Sequence, residues 1–306
     1  MSDSLPPSID PTAAARWASL ASRAPEAPWL HEEVAERMAE RLRYIRLPVD
    51  RWADWEPDRG GLKGHALVAG QYPDAESFQV RASAIQDSQE AVTPKWWQRL
   101  GRSAKGPKTG AAPPPGAMQM VWANMLAHHV ADPASLIASW HQALAVNGFV
   151  MFSCLGPDTL LELRELYARL GWPPPTQEFT DMHDWGDLLV GAGFAEPVMY
   201  MERITLTFHT PERLLQELRG LGRNLHVARF PALRGRGWLS HLKAGLGEHL
   251  RVAAPEGEGA LALSFEVVYG HALKPAPRLP VAAQTEFTLD DMKSALRERK
   301  KPQRGP

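Results

Sequence analysis

The 306-residue chain carries 44% hydrophobic and 23% charged side chains, with 34 Lys+Arg against 35 Asp+Glu. This balance excludes an intrinsically disordered chain and gives no global attraction to nucleic acid or to an anionic membrane. A single cysteine, Cys154, excludes an internal disulfide and a multi-cysteine zinc site, and it suits a reducing compartment.

The first residues, Met1–Pro7, show neither a basic region nor an apolar one, so no signal peptide is expected and the chain reads as soluble and cytoplasmic. Asp10 is an N-cap candidate with Pro11 at the first helical position. A second helix is expected from Trp29 to Leu47, where Val34, Met38, Leu42 and Ile45 share one face and Pro48 ends the run. Glu32 and Glu33 read as its solvated side. Val49–Trp55 reads as a short strand entering the turn Glu56-Pro-Asp-Arg-Gly-Gly61, followed by a short helix from Leu62 to Ala69. Ser77–Val80 is the next strand.

Residues 82–117 are rich in Gly, Pro, Ala, Ser and Lys, without apolar period. They read as a flexible loop, with 101–116 expected to be mobile because nothing apolar anchors them. The basic run Arg99, Arg102, Lys105, Lys108 is either a solvated loop or a contact for an acidic carrier protein or phosphate. Order returns at Met118–Trp122, a strand, and Asp132-Pro133 opens a helix to Leu144. Gly148–Cys154, apolar on both faces, reads as a central parallel strand covered by helices. Gly156-Pro-Asp158 starts a helix to about Leu170, and Asp181 opens one that ends at Gly191-Ala-Gly193. Val198–Phe208 alternates as a strand. Pro211 opens an amphipathic helix carrying Leu214, Leu215, Leu218 and Leu221, and Leu261–Gly270 is the last strand. A tail helix, Leu289–Lys300, follows. Strands alternating with helices argue for a parallel α/β sheet, and about 50 residues between the last two strands argue for a lid.

Several segments together carry a resemblance. They are Ala27–Leu42, Phe149–Leu160 with Ser153-Cys-Leu-Gly-Pro-Asp158, Gly193–Val198, Leu215–Gly222 and Phe265–Ala272. On these the chain resembles the S-adenosylmethionine-dependent methyltransferases, and within them the malonyl-acyl-carrier-protein O-methyltransferases of biotin synthesis. The similarity runs loosely over residues 8–80 and more closely over 118–300. It implies a Rossmann-like class I α/β fold: a seven-stranded mixed sheet of order 3-2-1-4-5-7-6 with its last strand antiparallel. It also implies a helical cover over 1–47, a methyltransferase-like domain over 48–280 with a lid at about 210–258 and a flexible loop at about 98–117, and a tail helix within 281–306. The implied cofactor is S-adenosylmethionine and the implied partner is an acyl carrier protein bearing a malonyl group.

The resemblance places the cofactor beyond the carboxyl ends of the strands. Asp54 or Glu56 then stands where the first acid belongs, and Gly60 and Gly61 stand as a remnant of the glycine loop or as a plain turn. Trp55, Pro57 and Asp58 occupy positions where the family has small residues, and the indole and proline are expected to obstruct close backbone approach. Arg81 stands where a carboxylate should accept from the ribose hydroxyls, which a guanidinium cannot do. Weak cofactor binding, or none, follows. His128-His129 falls where the family places residues at the site's lip; adjacent histidines point apart and suit no metal. Cys154 reads as a small buried hydrophobe. Arg219, with Arg223 beside it, matches a lid segment facing the substrate, where a carboxylate needs a fixed cation. The alternative for Arg219 is a plain surface arginine. No side chain is assigned a catalytic role and no metal site is expected. Two functions stay open: an active methyltransferase on the malonyl carboxylate, and an inactive relative that keeps the fold for binding or assembly.

Overall fold

The two long and almost fully buried strands β5 (Leu144–Leu155) and β8 (Ala260–Leu273) pair antiparallel at the centre of one sheet. The computed structural model describes residues 9–21, 26–81, 108–252 and 259–277. The other strands are β1 (Arg51–Trp55), β2 (Glu76–Val80), β3 (Lys108–Gly110), β4 (Met118–Ala123), β6 (Ala195–Phe208) and β7 (Arg251–Val252). The sheet order is β3-β2-β1-β4-β5-β8-β6, and β7 is a short extra strand on β8. The five strands from β3 to β5 are mutually parallel, and β8 runs against both its neighbours. This is the class I methyltransferase topology the resemblance implies, with one added strand.

The helices are α1 (Pro11–Ala21), α2 (Trp29–Leu42), α3 (Pro57–Gly60), α4 (Leu62–Gln71), α5 (Pro133–Ala143), α6 (Leu161–Arg169), α7 (Met182–Gly191), α8 (Pro211–Leu221) and α9 (Arg236–His249). Strand side chains alternate between two cores. Trp52, Met120, Trp122, Phe149 and Phe265 meet α2, α4, α6, α8 and α9 on one face. Ala53, Trp55, Val121, Val150, Phe152 and Cys154 meet α5 and α7 on the other. Helix α2 is also held by charge: the Arg41 guanidinium lies over the rings of Tyr200 and Tyr269, at 4.8 and 4.2 Å.

Boundaries differ from the sequence reading where tertiary contacts decide. Helix α2 stops at Leu42, and Ile45 and Leu47 pack on the core from the connection instead. Pro48 disfavours helical backbone at the residue before it, which helps release the chain toward β1. Helix α6 starts at Leu161, because the turn before it is gripped by β8: Asp158 N–H donates to the Glu266 carboxylate at 2.9 Å and Leu160 N–H to the Ser264 carbonyl at 2.7 Å. The segment read as loop up to residue 117 contains edge strand β3, pinned by Lys108 on Glu76 at 2.8 Å. The remainder of that segment before Lys108, and the expected tail helix, lie outside the described residues.

The connection between β6 and β8, where a lid is expected, carries α8 and α9. Asp10 caps α1 by accepting from Thr12 N–H at 2.9 Å, as expected, and also accepts from Arg229 at 2.6 Å. Its own N–H donates to the Leu225 carbonyl, so cover and lid are tied to each other. Contacts divide the chain at Pro275/Ala276, and beyond Pro277 nothing is described. No helix among the described residues is long and apolar enough to cross a membrane.

Gly270 of β8 lies beneath the Phe152 ring, where an added Cβ would come within 2.1 Å of a ring carbon. Gly270→Ala should therefore destabilise the protein by about 1–3 kcal/mol, the usual range for overpacking. Urea unfolding measures this, and an unchanged midpoint would show that the ring can slide aside.

Candidate functional site

The carboxyl ends of β1, β2 and β4 converge on the turn Glu56–Gly61. Trp55 is the last residue of β1 and alternation sends its indole into the far core, edge-on to Trp140 at 6.5 Å. It therefore does not obstruct the turn, contrary to the sequence expectation. Asp54 points the other way, is 2% exposed, and accepts from His65 Nδ1 at 2.7 Å. Burial pushes its carboxyl pKa up, and the His65 hydrogen bond opposes this. Glu56 adopts left-handed backbone (φ 57°) at the first turn position, and Pro57 opens α3. Asp58 pairs with Arg81 at 3.0 Å, and Arg81 also donates to Gln79 at 3.0 Å. The cation at the end of β2 is thus held by a carboxylate from the facing turn.

Both glycines are pressed on protein neighbours. A Cβ on Gly60 would meet the Asn124 carbonyl at 2.9 Å. At Gly61, with φ +115°, it would meet the Glu32 carboxylate at 2.5 Å. Glu32 is no solvated side chain: its carboxylate accepts from Lys63 N–H and Gly64 N–H, at 3.3 and 3.2 Å, at the N-terminus of α4.

Asn124, just past β4 and 2% exposed, joins the site together. Its Nδ2 donates to the carbonyls of His31 (2.7 Å) and Gly60, and its Oδ1 accepts from Ser153 Oγ at 2.6 Å. His31 of α2 donates from Nδ1 to the Arg59 carbonyl at 2.7 Å. Burial lowers the His31 pKa to about 4.

His128 and His129 end the 3-10 turn Ala127–His129 and are both buried, with ring centroids 4.0 Å apart. They do not point apart, because the tight turn brings their rings together at a 45° tilt. His128 Nδ1 accepts from Leu155 N–H at 3.3 Å, which leaves its Nε2 without a partner. His129 Nδ1 is also unpartnered. Burial holds both rings well below the ordinary histidine pKa, with His31 the next cause at His128 and His128 the next at His129. No group of three or more His, Cys, Asp or Glu that could hold a metal occurs among the described residues. Cys154 is buried in the core, where burial raises its thiol pKa.

Two cavities meet at His129. One, about 360 Å³ and mostly apolar, lies under the lid between Leu155, Leu163 and Phe265 and the lid residues Leu215, Leu218 and Trp238. The other, about 300 Å³, lies between Trp17, His31, Asp58 and Arg59 and the end of α8. Arg219, Leu221 and Arg223 line both. Arg223 lies over the Trp17 ring at 5.1 Å and donates to the carbonyls of Arg219 and Gly222. Partial burial, and after it the charge of Arg219, lower its pKa. Sequence reasoning passed over Arg59, His31, Asn124 and Glu32. Only a polar Asn directly after an apolar strand was there to be noticed.

The chain is 38% identical over 258 residues to the malonyl-[acyl-carrier protein] O-methyltransferase of Gallionella capsiferriformans, covering 82% of this chain and 86% of that protein. It is 36% identical over 259 residues to the protein of the same name from Laribacter hongkongensis, covering 81% and 84%. Among solved structures, YcgJ of Bacillus subtilis aligns with a TM-score of 0.47 at 13% identity, over 79% of this chain and 99% of that one. No family model matches.

The three buried histidines set a pH dependence. In the unfolded chain each titrates near 6.5; in the folded one His31 titrates at about 4 and the other two well below 6.5. Between these values the unfolded state binds protons that the folded state refuses. Stability is complete above pH 6.5 and falls as pH drops, by up to about 1.4 kcal/mol per unit for each histidine. The His31 share stops growing below about pH 4. Urea midpoints from pH 7.5 to 5 should show the decline, and His31→Gln should make it shallower. A flat profile would refute it.

Proposed function

The chain belongs to the malonyl-[acyl-carrier protein] O-methyltransferase family, and on that footing we propose that it methylates the free carboxylate of a malonyl group on acyl carrier protein, in biotin synthesis. The observation that carries this reading is Arg219, which lines both the apolar cavity under the lid and the cavity at the strand ends. An apolar cavity accepts an acyl arm, and the exposed Arg219 guanidinium on its wall can hold a carboxylate. S-adenosylmethionine, when bound, supplies the electrophilic methyl group. The carboxylate is ionised at neutral pH, so no side chain has to remove a proton. The protein's task is alignment and exclusion of water. The setting proposed for this work is the cytoplasm.

The cofactor's amino-acid half and its ribose find different welcomes. The cavity beside Asp58 and Arg59 has room for the former. The place of the ribose carboxylate is taken by Arg81, already paired with Asp58. Hydrogen bonds to a charged group contribute about 1.5–3 kcal/mol each, so their loss costs a few kcal/mol of affinity. Binding is therefore weak. That same ion pair favours the second reading, an inactive relative retaining the fold for binding or assembly.

Three measurements separate these readings. The wild-type gene should complement a biotin-requiring strain that lacks this methyltransferase, Arg219→Ala should not, and Arg219→Lys should do so poorly because lysine has no planar fork. If wild type fails, the inactive reading stands; if Arg219→Ala complements, the anchor assignment is wrong. Calorimetry should find S-adenosylhomocysteine affinity weaker than micromolar, and micromolar binding overturns the weak-site proposal. The double variant Asp58→Gly/Arg81→Glu restores both family features and should bind at least about tenfold tighter. No gain would show that the ion pair is not the obstacle.

A further inference from the structure

The acids around the strand-end cavity are largely committed. Asp58 pairs with Arg81, Asp54 is bonded to His65, and Glu26, the other acid lining this cavity, is exposed. The cations are not. Arg59 is half-buried and makes no ion pair among the described residues, and neither do Arg219 and Arg223. Burial lowers the pKa of the Arg59 guanidinium, with Glu56 acting against this through space. All three arginines line the one cavity of about 300 Å³.

The cavity's remaining polar groups suit an anion. His129 and Trp17 are each more than nine-tenths buried, and His129 Nδ1 and Trp17 Nε1 have no partner. An indole N–H is only a donor, and the buried histidines add no negative charge. His31 fixes the backbone of Arg59 by donating to its carbonyl, so the turn presents its guanidinium from a rigid base. Glu56 offsets the burial of the Arg59 guanidinium through space, and an incoming anion would add to that offset.

We propose that this cavity is a carboxylate-binding pocket in which Arg59, from the turn after β1, acts jointly with Arg219 from the lid. The proposal rests on the reading above only for its sources of carboxylate, which are the malonyl group and the amino-acid end of the cofactor. It makes the least glycine-like stretch of the turn a binding element.

Binding without turnover tests it. Malonyl-pantetheine, neutral acetyl-pantetheine, S-adenosylhomocysteine and adenosine are titrated by calorimetry into wild type, Arg59→Gln, Arg59→Lys, Arg219→Gln and the double Gln variant. Thermal melts accompany them to show that each variant is folded. Wild type should prefer the carboxylate-bearing member of one pair. Arg59→Gln should weaken that ligand at least about tenfold and leave the neutral member unchanged. Arg59→Lys should recover part of the loss. The double variant should lose less than the two single losses combined, as groups sharing one anion do. A loss on malonyl-pantetheine assigns the pocket to substrate, and a loss on S-adenosylhomocysteine assigns it to cofactor. No preference in wild type, or equal loss for charged and neutral ligands, overturns the proposal. A protein that shows the preference yet transfers no methyl group retires the activity and keeps the pocket.

Discussion

One buried amide holds the site in shape. Asn124 has two donor hydrogens, and it spends them on carbonyls of different segments, His31 in the cover and Gly60 in the turn after β1. Ser153 of β5 completes the set by donating to its oxygen and accepting from Met125 N–H at 3.0 Å. A buried polar group left without its partner costs about 1–3 kcal/mol, so each bond here is expensive to break. The cover, the turn and two strands are thus locked together by one side chain and its hydroxyl neighbour. His31 is placed to hold the Arg59 carbonyl, and Arg59 is placed to face the cavity.

The charges follow from that lock. Negative side chains near the turn are consumed within the protein: Glu32 at the amide end of α4, Asp54 on His65, Asp58 on Arg81. Positive ones are left toward the cavity, two of them from the lid. In the familiar methyltransferase arrangement the turn gives glycine and the end of β2 gives a carboxylate. Here Asp58 lies in the turn and Arg81 stands at the end of β2, and each neutralises the other. Among the described residues, the unpaired positive charge beside the cavity lies with Arg59 and the arginines at the end of α8.

The sheet was legible because its strands are runs of apolar residues, and β5 and β8 carry that pattern over most of their length. Helices α2 and α8 were legible through the helical spacing of their apolar residues. Trp55 was misread because its bulk was weighed without its parity: one residue after Asp54, its indole belongs to the opposite face. The histidine pair was misread for a similar reason, since the 3-10 turn brings together neighbours that a longer helix or strand would separate. Edge strand β3 has only three residues and no apolar signal, so only its pairing reveals it. Glu32 and Arg59 depend on chain segments roughly thirty residues apart meeting at one turn, which spacing within either segment does not express.

The lid and the cover close the site from one side. Arg229 is bound to Asp10, Arg223 lies over Trp17, and Leu225 packs with Ala14 and Trp17. These contacts couple the end of α8 to α1, so neither segment moves alone without exposing apolar surface. The lid cavity has another neighbour, a space of about 550 Å³ lined by Arg164, Trp172, Pro174 and His226, with Tyr167, Thr176 and Gln177 as shared wall. Gln177 ties that wall down by donating to the His128 carbonyl and accepting from Leu225 N–H. Thr176 presents a buried hydroxyl with no partner along it. A long flexible substrate arm has polar groups to satisfy along its length, and this wall offers one. On the proposed reading, a route for the arm from the α6 side toward Arg219 would leave the bonded seam between cover and lid intact.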